Sequence, residues 1–222
     1  IFIFKKRTIF IDKSKNINKS FKSFFKILKQ DHAFLIFVFA NALTFLCFIQ
    51  IDAGLLQYLR IYEFEEVTKL YAFLILINGL TIVTLQFPVL RLLKSFPAFI
   101  KALMGIFLFV LSFIIFAYVP TPNANGIILA VLVLSIGEVV LFPTINILID
   151  KMAPNHLKGS YFGIAELAII GAGLGPLVGG YLLEVYSGFV LWITMAVISF
   201  FVSILLFFAQ SAKRPDLSFT KE

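Results

Sequence analysis

Residues 125–149 read NGIILAVLVLSIGEVVLFPTINILI, and this stretch decides the fold class. It is mostly apolar over more than the roughly 20 residues that a helix needs to cross the hydrocarbon core of a bilayer. A transmembrane β-strand would be shorter and would alternate apolar with polar residues, which this stretch does not do. We therefore predict a membrane-spanning α-helix that carries Glu138 near its middle and is bent at Pro143.

Five further segments of the chain pass the same test. The six predicted spans are 33–59, 67–90, 98–119, 125–149, 157–183 and 189–210. Of the 222 residues, 60% are hydrophobic and 14% are charged, and the mean hydropathy is +1.00. Soluble domains carry about 25% charged residues, so the composition excludes an ordinary soluble globule. The predicted fold class is an all-α membrane protein with six transmembrane helices.

The positively charged residues predict how the spans are oriented. All Lys and Arg residues except Arg60 and Lys69 lie in the first 32 residues, in the last 12 residues, or in and directly beside the loops after the second and fourth spans, where Lys101 and Lys158 begin the next span. Cytoplasmic loops carry an excess of these residues. We therefore predict a basic cytoplasmic loop at 1–32, a cytoplasmic tail at 211–222 and an even number of crossings between them. The net charge of +7 then reflects topology, and no nucleic-acid partner is expected.

Polar side chains inside the spans are the candidates for a substrate pathway. An ionisable residue within a span normally faces the bundle interior or a water-filled cavity, because charge is costly in hydrocarbon. The candidates are Asn41, Asp52, Asn78, Glu138, Asn146 and Glu166. They fall on the first, second, fourth and fifth spans, while the third and sixth spans are nearly all apolar. This order predicts a three-plus-three repeat with the pathway between the repeats near the midplane.

Residues 171–180 read GAGLGPLVGG and form the most specific motif of the chain. Gly171, Gly175 and Gly179 are four residues apart, and Pro176 and Gly180 lie beside them. Glycines at this spacing share one face of a helix and let another helix backbone approach closely. We interpret the string as a packing and conformational motif; an ordinary seam of small residues is the alternative.

These residues resemble the major facilitator superfamily, and specifically the C-terminal six-helix half of a twelve-helix, drug/proton antiporter-like transporter. The string GxxxGPxxGG is similar to the antiporter motif in helix five of drug-efflux members, a copy of which recurs in helix eleven. Residues 137–143, 150–154 and 158–163 are similar to helix ten, its cytoplasmic loop and the start of helix eleven, with Lys158 where Arg is usual. The loop after the second span lacks the Gly and Asp of the family's strongest signature, which favours the second half over the first.

On this resemblance, residues 1–32 correspond to the central loop of the carrier, and an N-terminal six-helix half is missing. The chain begins with Ile1 and without an initiator Met, so we expect it to be a fragment of a longer protein. A remnant gene product is the alternative.

The resemblance implies transport of a small molecule by alternating access, with the first and fourth spans lining the cavity. It makes Glu138 the expected proton-responsive group and Asp52 a second choice as a gate or substrate contact. Asp150 and Lys158 are expected to form a cytoplasmic charge cluster that holds one conformation. Structural roles remain open for the acids: Glu138 as a hydrogen-bond acceptor between helices, Asp52 as a helix cap, and Glu166 as the partner of a basic residue in the missing half.

The leading functional hypothesis is proton-coupled efflux of drugs or metabolites across a bacterial inner membrane. The runner-up is a proton-coupled uptake symporter, for example for oligopeptides, because such carriers also have a helix-ten Glu followed five residues later by Pro, as at Glu138 and Pro143. A non-transporting remnant of a carrier is the third reading. No catalytic triad or nucleotide-binding loop is present in the sequence, so we expect neither an enzyme nor an ATP-driven pump. The single cysteine, Cys47, excludes an internal disulfide and a cysteine-based zinc site, and we expect no metal or cofactor.

Overall fold

The computed structural model describes residues 28–212, and helices make up most of this range. Six helices are long and apolar enough to cross a membrane, which confirms the predicted fold class. In chain order, these first to sixth spans are His32–Ile51, Val67–Ser95, Ala98–Tyr118, Ala124–Met152, Lys158–Val185 and Gly188–Ser211. Most of the predicted basic loop and most of the predicted tail lie outside the described residues.

The first span ends earlier than the sequence predicts. An α-helix over His32–Phe48 is followed by a 3₁₀ turn at Ile49–Ile51, and a separate short helix runs over Gly54–Ile61. The predicted continuous helix to residue 59 is therefore wrong in its last turns. Asp and Gly are both poor residues for a helix interior, and Asp52 and Gly54 interrupt the helix at this point. The short helix packs on the second and fifth spans.

The fifth span is also interrupted. Its helices cover Lys158–Ala165 and Ile169–Val185, with a 3₁₀ turn at Glu166–Ala168 between them. The fourth span, by contrast, stays helical over Ala124–Met152 and contains Pro143. Glu166 thus lies at a break in the backbone and not in a regular helix.

The contacts between spans follow the symmetry of a three-plus-three repeat. The first span packs on the fifth and sixth, the fourth packs on the second and third, and the third packs on the sixth. If the first span is exchanged with the fourth, the second with the fifth and the third with the sixth, the contacts of the first span become those of the fourth. The contact between the third and sixth spans is unchanged. A smaller fifth–sixth contact has no counterpart of similar size. The predicted repeat is therefore visible in the packing.

Aromatic side chains fill the interior between the third and sixth spans. The Trp192 ring stacks on Phe116 and Phe113, with ring centroids 4.4 and 6.1 Å apart, and meets Tyr58 edge-on at 5.5 Å. The Ser112 hydroxyl donates to the backbone oxygen of Ala130 at 2.7 Å, which joins the third span to the fourth. This packing joins the third span of one repeat to the sixth span of the other.

Candidate functional site

A buried polar cluster connects the second and fourth spans. Glu138 is only 4% exposed, and its Oε1 accepts a hydrogen bond of 2.9 Å from Asn78 Nδ2. The same amide nitrogen donates to Ser135 Oγ at 3.0 Å, and the Ser135 hydroxyl donates to the backbone oxygen of Val131 at 2.7 Å. This chain of hydrogen bonds gives the Asn78 amide and one carboxylate oxygen of Glu138 a fixed orientation.

The fourth span turns Glu138 toward the second span because Gly137, the residue before it, packs against the third span. Ser135 and Glu138 are three residues apart, so they share one face of the helix. Gly137 lies against the third span: a Cβ at Gly137 would lie 2.8 Å from the Phe109 ring and 3.0 Å from the backbone oxygen of Gly105. Close packing at Gly137 therefore sets the rotation of the helix that carries Glu138.

A cavity of about 330 Å³ opens beside this cluster. Its walls come from the second and fourth spans and consist of Ile82, Gln86, Glu138, Val139, Phe142, Pro143 and Asn146. The structure thus brings the predicted residues Glu138 and Asn146 to one cavity, with Asn78 bound to Glu138. Gln86 was missed at the sequence level, although a polar residue inside an apolar span is itself a signal of an interior position.

One lining residue of this cavity, Phe142, also contacts the first span. The Phe142 ring contacts Phe48 edge-on, with centroids 5.0 Å apart, and lies 5.6 Å from the Phe45 ring. These contacts bring the first and fourth spans together at the cavity wall.

The remaining predicted polar residues lie apart from the Glu138 cluster. Asn41 is buried in the first span, and its Oδ1 has no hydrogen-bond partner among the described residues. Asp52 is exposed beyond the end of the first span, where its backbone oxygen accepts from the Tyr71 hydroxyl at 3.0 Å. Glu166 is exposed at the break in the fifth span. None of the three lines the 330 Å³ cavity.

The glycine string of the fifth span packs against the first span. A Cβ at Gly171 would lie 1.7 Å from the backbone oxygen of Ala42, and one at Gly175 would lie 2.0 Å from Ile49 Cγ2. At Gly179 the added atom would lie 2.0 Å from Gln50 Oε1. At Gly171 the obstacle is backbone, so the close approach of the two spans requires glycine there; at Gly175 and Gly179 the obstacles are the side chains of Ile49 and Gln50, which would have to move. Pro176 is exposed and Gly180 is half-buried on other faces of the helix.

Gln50 of the first span hydrogen-bonds to the glycine string of the fifth span. The sequence did not predict this contact. Its side chain is fully buried, and Nε2 donates to the backbone oxygens of Gly175 at 2.8 Å and Leu46 at 3.2 Å. Its Oε1 lies next to Gly54 and Gly179, where a Cβ would collide with it. The amide therefore occupies a niche that only glycine neighbours leave open.

Charged residues at the start of the fifth span connect it to the first and fourth spans. Lys158 and Asp150 form a partly exposed ion pair. Their predicted role as a cytoplasmic cluster that holds one conformation stays a prediction. Asp31, which the sequence analysis placed in the basic loop, is instead fully buried. Its Oδ1 accepts from the backbone N–H of Phe34 at 3.0 Å, and its Oδ2 accepts from the Tyr161 hydroxyl at 2.9 Å. Asp31 thus caps the first span and ties it to the start of the fifth.

No group of His, Cys, Asp and Glu side chains within residues 28–212 is arranged to hold a metal ion. The fold and the buried polar cluster together define a multi-pass integral membrane protein built from two three-helix repeats.

Residues 4–169 match the family model of the Major Facilitator Superfamily, and the chain belongs to this family of membrane transporters. It is 26% identical over 185 residues to the uncharacterized MFS-type transporter YqjV of Bacillus subtilis strain 168, covering 83% of this chain and 45% of that protein. It is 32% identical over 181 residues to the uncharacterized MFS-type transporter YdeE of Escherichia coli strain K12, covering 78% and 44%. The chain therefore spans less than half the length of these relatives.

Proposed function

We propose that the protein acts as a secondary transporter that moves a small molecule by alternating access, and that Glu138 couples this transport to protons. The observation that carries the proposal is the Glu138 carboxylate, which is buried, held by Asn78 and open to a cavity between the second and fourth spans. Membership of the Major Facilitator Superfamily supports transport as the activity.

The buried charge of Glu138 needs a group that compensates it. A buried carboxylate is costly in its charged form unless a cation or a proton compensates it. The ion pairs found among residues 28–212 are Lys69–Glu66 and Lys158–Asp150, so none of these cations pairs with Glu138. Within this range Asn78 supplies the one hydrogen bond to its carboxylate. A proton or a cationic substrate group entering the cavity can therefore compensate Glu138 in turn, which is the exchange that antiport requires.

We further propose that a second six-helix unit packs against the face that carries this cavity. The second span packs on the fourth, and the fifth packs on the first. The second and fifth spans are the least buried of the six, with exposed apolar side chains that include Phe73, Val83, Phe87 and Leu177. Lipid can cover these apolar side chains, but the polar cavity residues Gln86, Glu138 and Asn146 are costly to expose to acyl chains. This cost favours a partner half that closes the cavity, and the longer relatives have room for one.

Efflux across a bacterial inner membrane is the favoured direction, because the glycine string and its seam resemble the antiporter motif. Proton-coupled uptake, for example of oligopeptides, is the second candidate. The observation that favours it is that Glu138 and Pro143, five residues apart, line the same cavity.

Transport assays on the full-length gene product test the proposal. The protein is reconstituted into vesicles with an imposed pH gradient, and a panel of labelled amphiphilic drugs and peptides is screened with and without an uncoupler. Glu138→Gln keeps an oxygen for the Asn78 hydrogen bond but cannot take up a proton. We expect it to abolish gradient-driven transport while leaving substrate exchange measurable. Glu184→Gln, an exposed acid of the fifth span away from this cavity, is the matched control.

The outcomes separate the alternatives. Substrate that moves against the direction of proton flow favours efflux, and substrate that moves with the protons favours uptake. Transport that survives both the uncoupler and Glu138→Gln would refute the proton-coupling role. A folded protein that transports nothing in the panel would favour the non-transporting remnant.

A further inference from the structure

A second cavity lies at the end of the bundle that carries most of the basic residues of the described chain. We call this the basic end; its cations are Lys29, Arg91, Lys94, Lys101, Lys151 and Lys158. The cavity has a volume of about 300 Å³ and is formed by the first, third, fourth and sixth spans. It is separate from the 330 Å³ cavity at Glu138 and shares no lining residue with it.

The lining of this cavity is apolar except at its rim. Phe37, Ala98 and Leu206 are buried side chains of its wall, and Leu148 completes the wall from the fourth span. The polar lining groups are Lys151 and Gln210, which are both exposed. An apolar groove of this size accommodates a hydrocarbon chain better than it accommodates water, which needs several polar partners.

Lys151 is available to bind an anion at the rim. Its neighbour Asp150 is paired with Lys158, and no ion pair of Lys151 is found among the described residues. A lysine at the end of a span can extend its ammonium group toward lipid headgroups while its methylene chain covers apolar surface. The groove therefore offers an apolar wall and a cation at the depth where a span leaves the membrane.

The charge distribution restricts such a ligand to this end. At the opposite end of the bundle the acids Glu63, Glu65, Glu66 and Glu184 outnumber the cations Arg60 and Lys69. An anionic headgroup is repelled there and attracted at the basic end. Basic pockets between transmembrane helices are known binding sites for anionic lipid headgroups.

We propose that this groove binds one anionic phospholipid, with an acyl chain against Phe37 and Leu206 and the phosphate at Lys151. This site is independent of the transport proposed for Glu138. It would make the stability of the protein depend on the lipid composition of the leaflet at the basic end.

The test compares lipid retention by variants of the full-length gene product. The detergent-purified protein is titrated with phosphatidylglycerol or with phosphatidylcholine of the same acyl chains, and retained lipids are counted by native mass spectrometry. We expect preferential retention of one phosphatidylglycerol molecule, weakened about fivefold by Lys151→Gln, as one lysine near an anionic surface would predict. Lys94→Gln is the matched control, since Lys94 is an exposed cation of the same end that does not line the groove.

A second variant tests the apolar wall without changing charge. Gln210→Phe places a ring at the mouth of the groove from an exposed position, and we expect it to reduce phosphatidylglycerol retention while the melting temperature in phosphatidylcholine stays within roughly 2 °C of the parent. Equal retention of the two lipids would overturn the proposal. Displacement of the bound lipid by millimolar inorganic phosphate would overturn it in favour of a simple phosphate site. Retention that rises several-fold on deletion of residues 213–222 would overturn it in favour of the chain's own tail as the occupant.

Discussion

Replacement of Gly171 by alanine tests the glycine seam directly. The added Cβ would lie 1.7 Å from the backbone oxygen of Ala42, and backbone on both sides means that no flexible side chain can move aside. The first and fifth spans must separate by more than 1 Å, roughly, to restore an ordinary contact. Overpacking of this kind costs about 1–3 kcal/mol.

A matched control lies two residues away on the same helix. At Gly173 an added Cβ meets nothing within 4 Å, so Gly173→Ala changes helix propensity without a collision. Alanine is favoured over glycine in a helix interior by about 1 kcal/mol, so this variant is expected to be neutral or slightly stabilised. The two variants make the same chemical change and differ only in what the new methyl group meets.

Thermal unfolding of the full-length protein in one fixed detergent measures the difference. For a protein of about the length of the relatives, a cost of this size lowers the melting temperature by roughly 1–4 °C, and Gly173→Ala should not fall below the parent. If Gly171→Ala and Gly173→Ala have the same melting temperature, the backbones of the first and fifth spans do not approach closely at Gly171.

The remaining predictions concern the two buried polar contacts of the first span. Gln50→Glu replaces the amide donor to the Gly175 oxygen by an acid that must be buried, so we expect a larger loss of stability, about 3 kcal/mol or more, than for Gln50→Met, both followed by thermal unfolding. Equal melting temperatures would contradict this role. Tyr161→Phe removes the hydroxyl that Asp31 accepts but keeps the ring that packs 4.4 Å from Phe34, and should cost about 1.5–3 kcal/mol. Tyr181→Phe, at an exposed ring of the same span, should be silent, and the hydrogen bond is unimportant if both variants unfold alike.

The hydropathy of each segment was sufficient to locate the six spans. It was insufficient to predict which side chains contact each other between helices. Glu138 could be singled out because an acid amid apolar residues stands out in any window of the sequence. Its partner Asn78 comes from another helix, and the hydrogen bond between them depends on how both helices are rotated. Gln50 and Asp31 were missed for the same reason: each looks unremarkable in its own segment, and each is buried only because the fifth span covers it.

The break after Phe48 shows a different limit. Hydropathy carried the predicted helix through Asp52 and Gly54 because the flanking residues are apolar, although backbone preference disfavours both residues in a helix. The structure ends the span there and gives Leu55 and Leu59 to a separate short helix, which buries them against its neighbours.

The amino-acid order alone determined that this chain crosses a membrane six times and that its cations gather at one end of the bundle, because hydropathy and charge are properties of each segment by itself. Tertiary packing decided which helices touch, that Gly171, Gly175 and Gly179 fit against the first span, and that Glu138 shares a cavity with Asn146 while Asp52 does not. These contacts depend on the rotation and separation of whole helices, which are set by close packing between distant parts of the chain and by no single stretch of it.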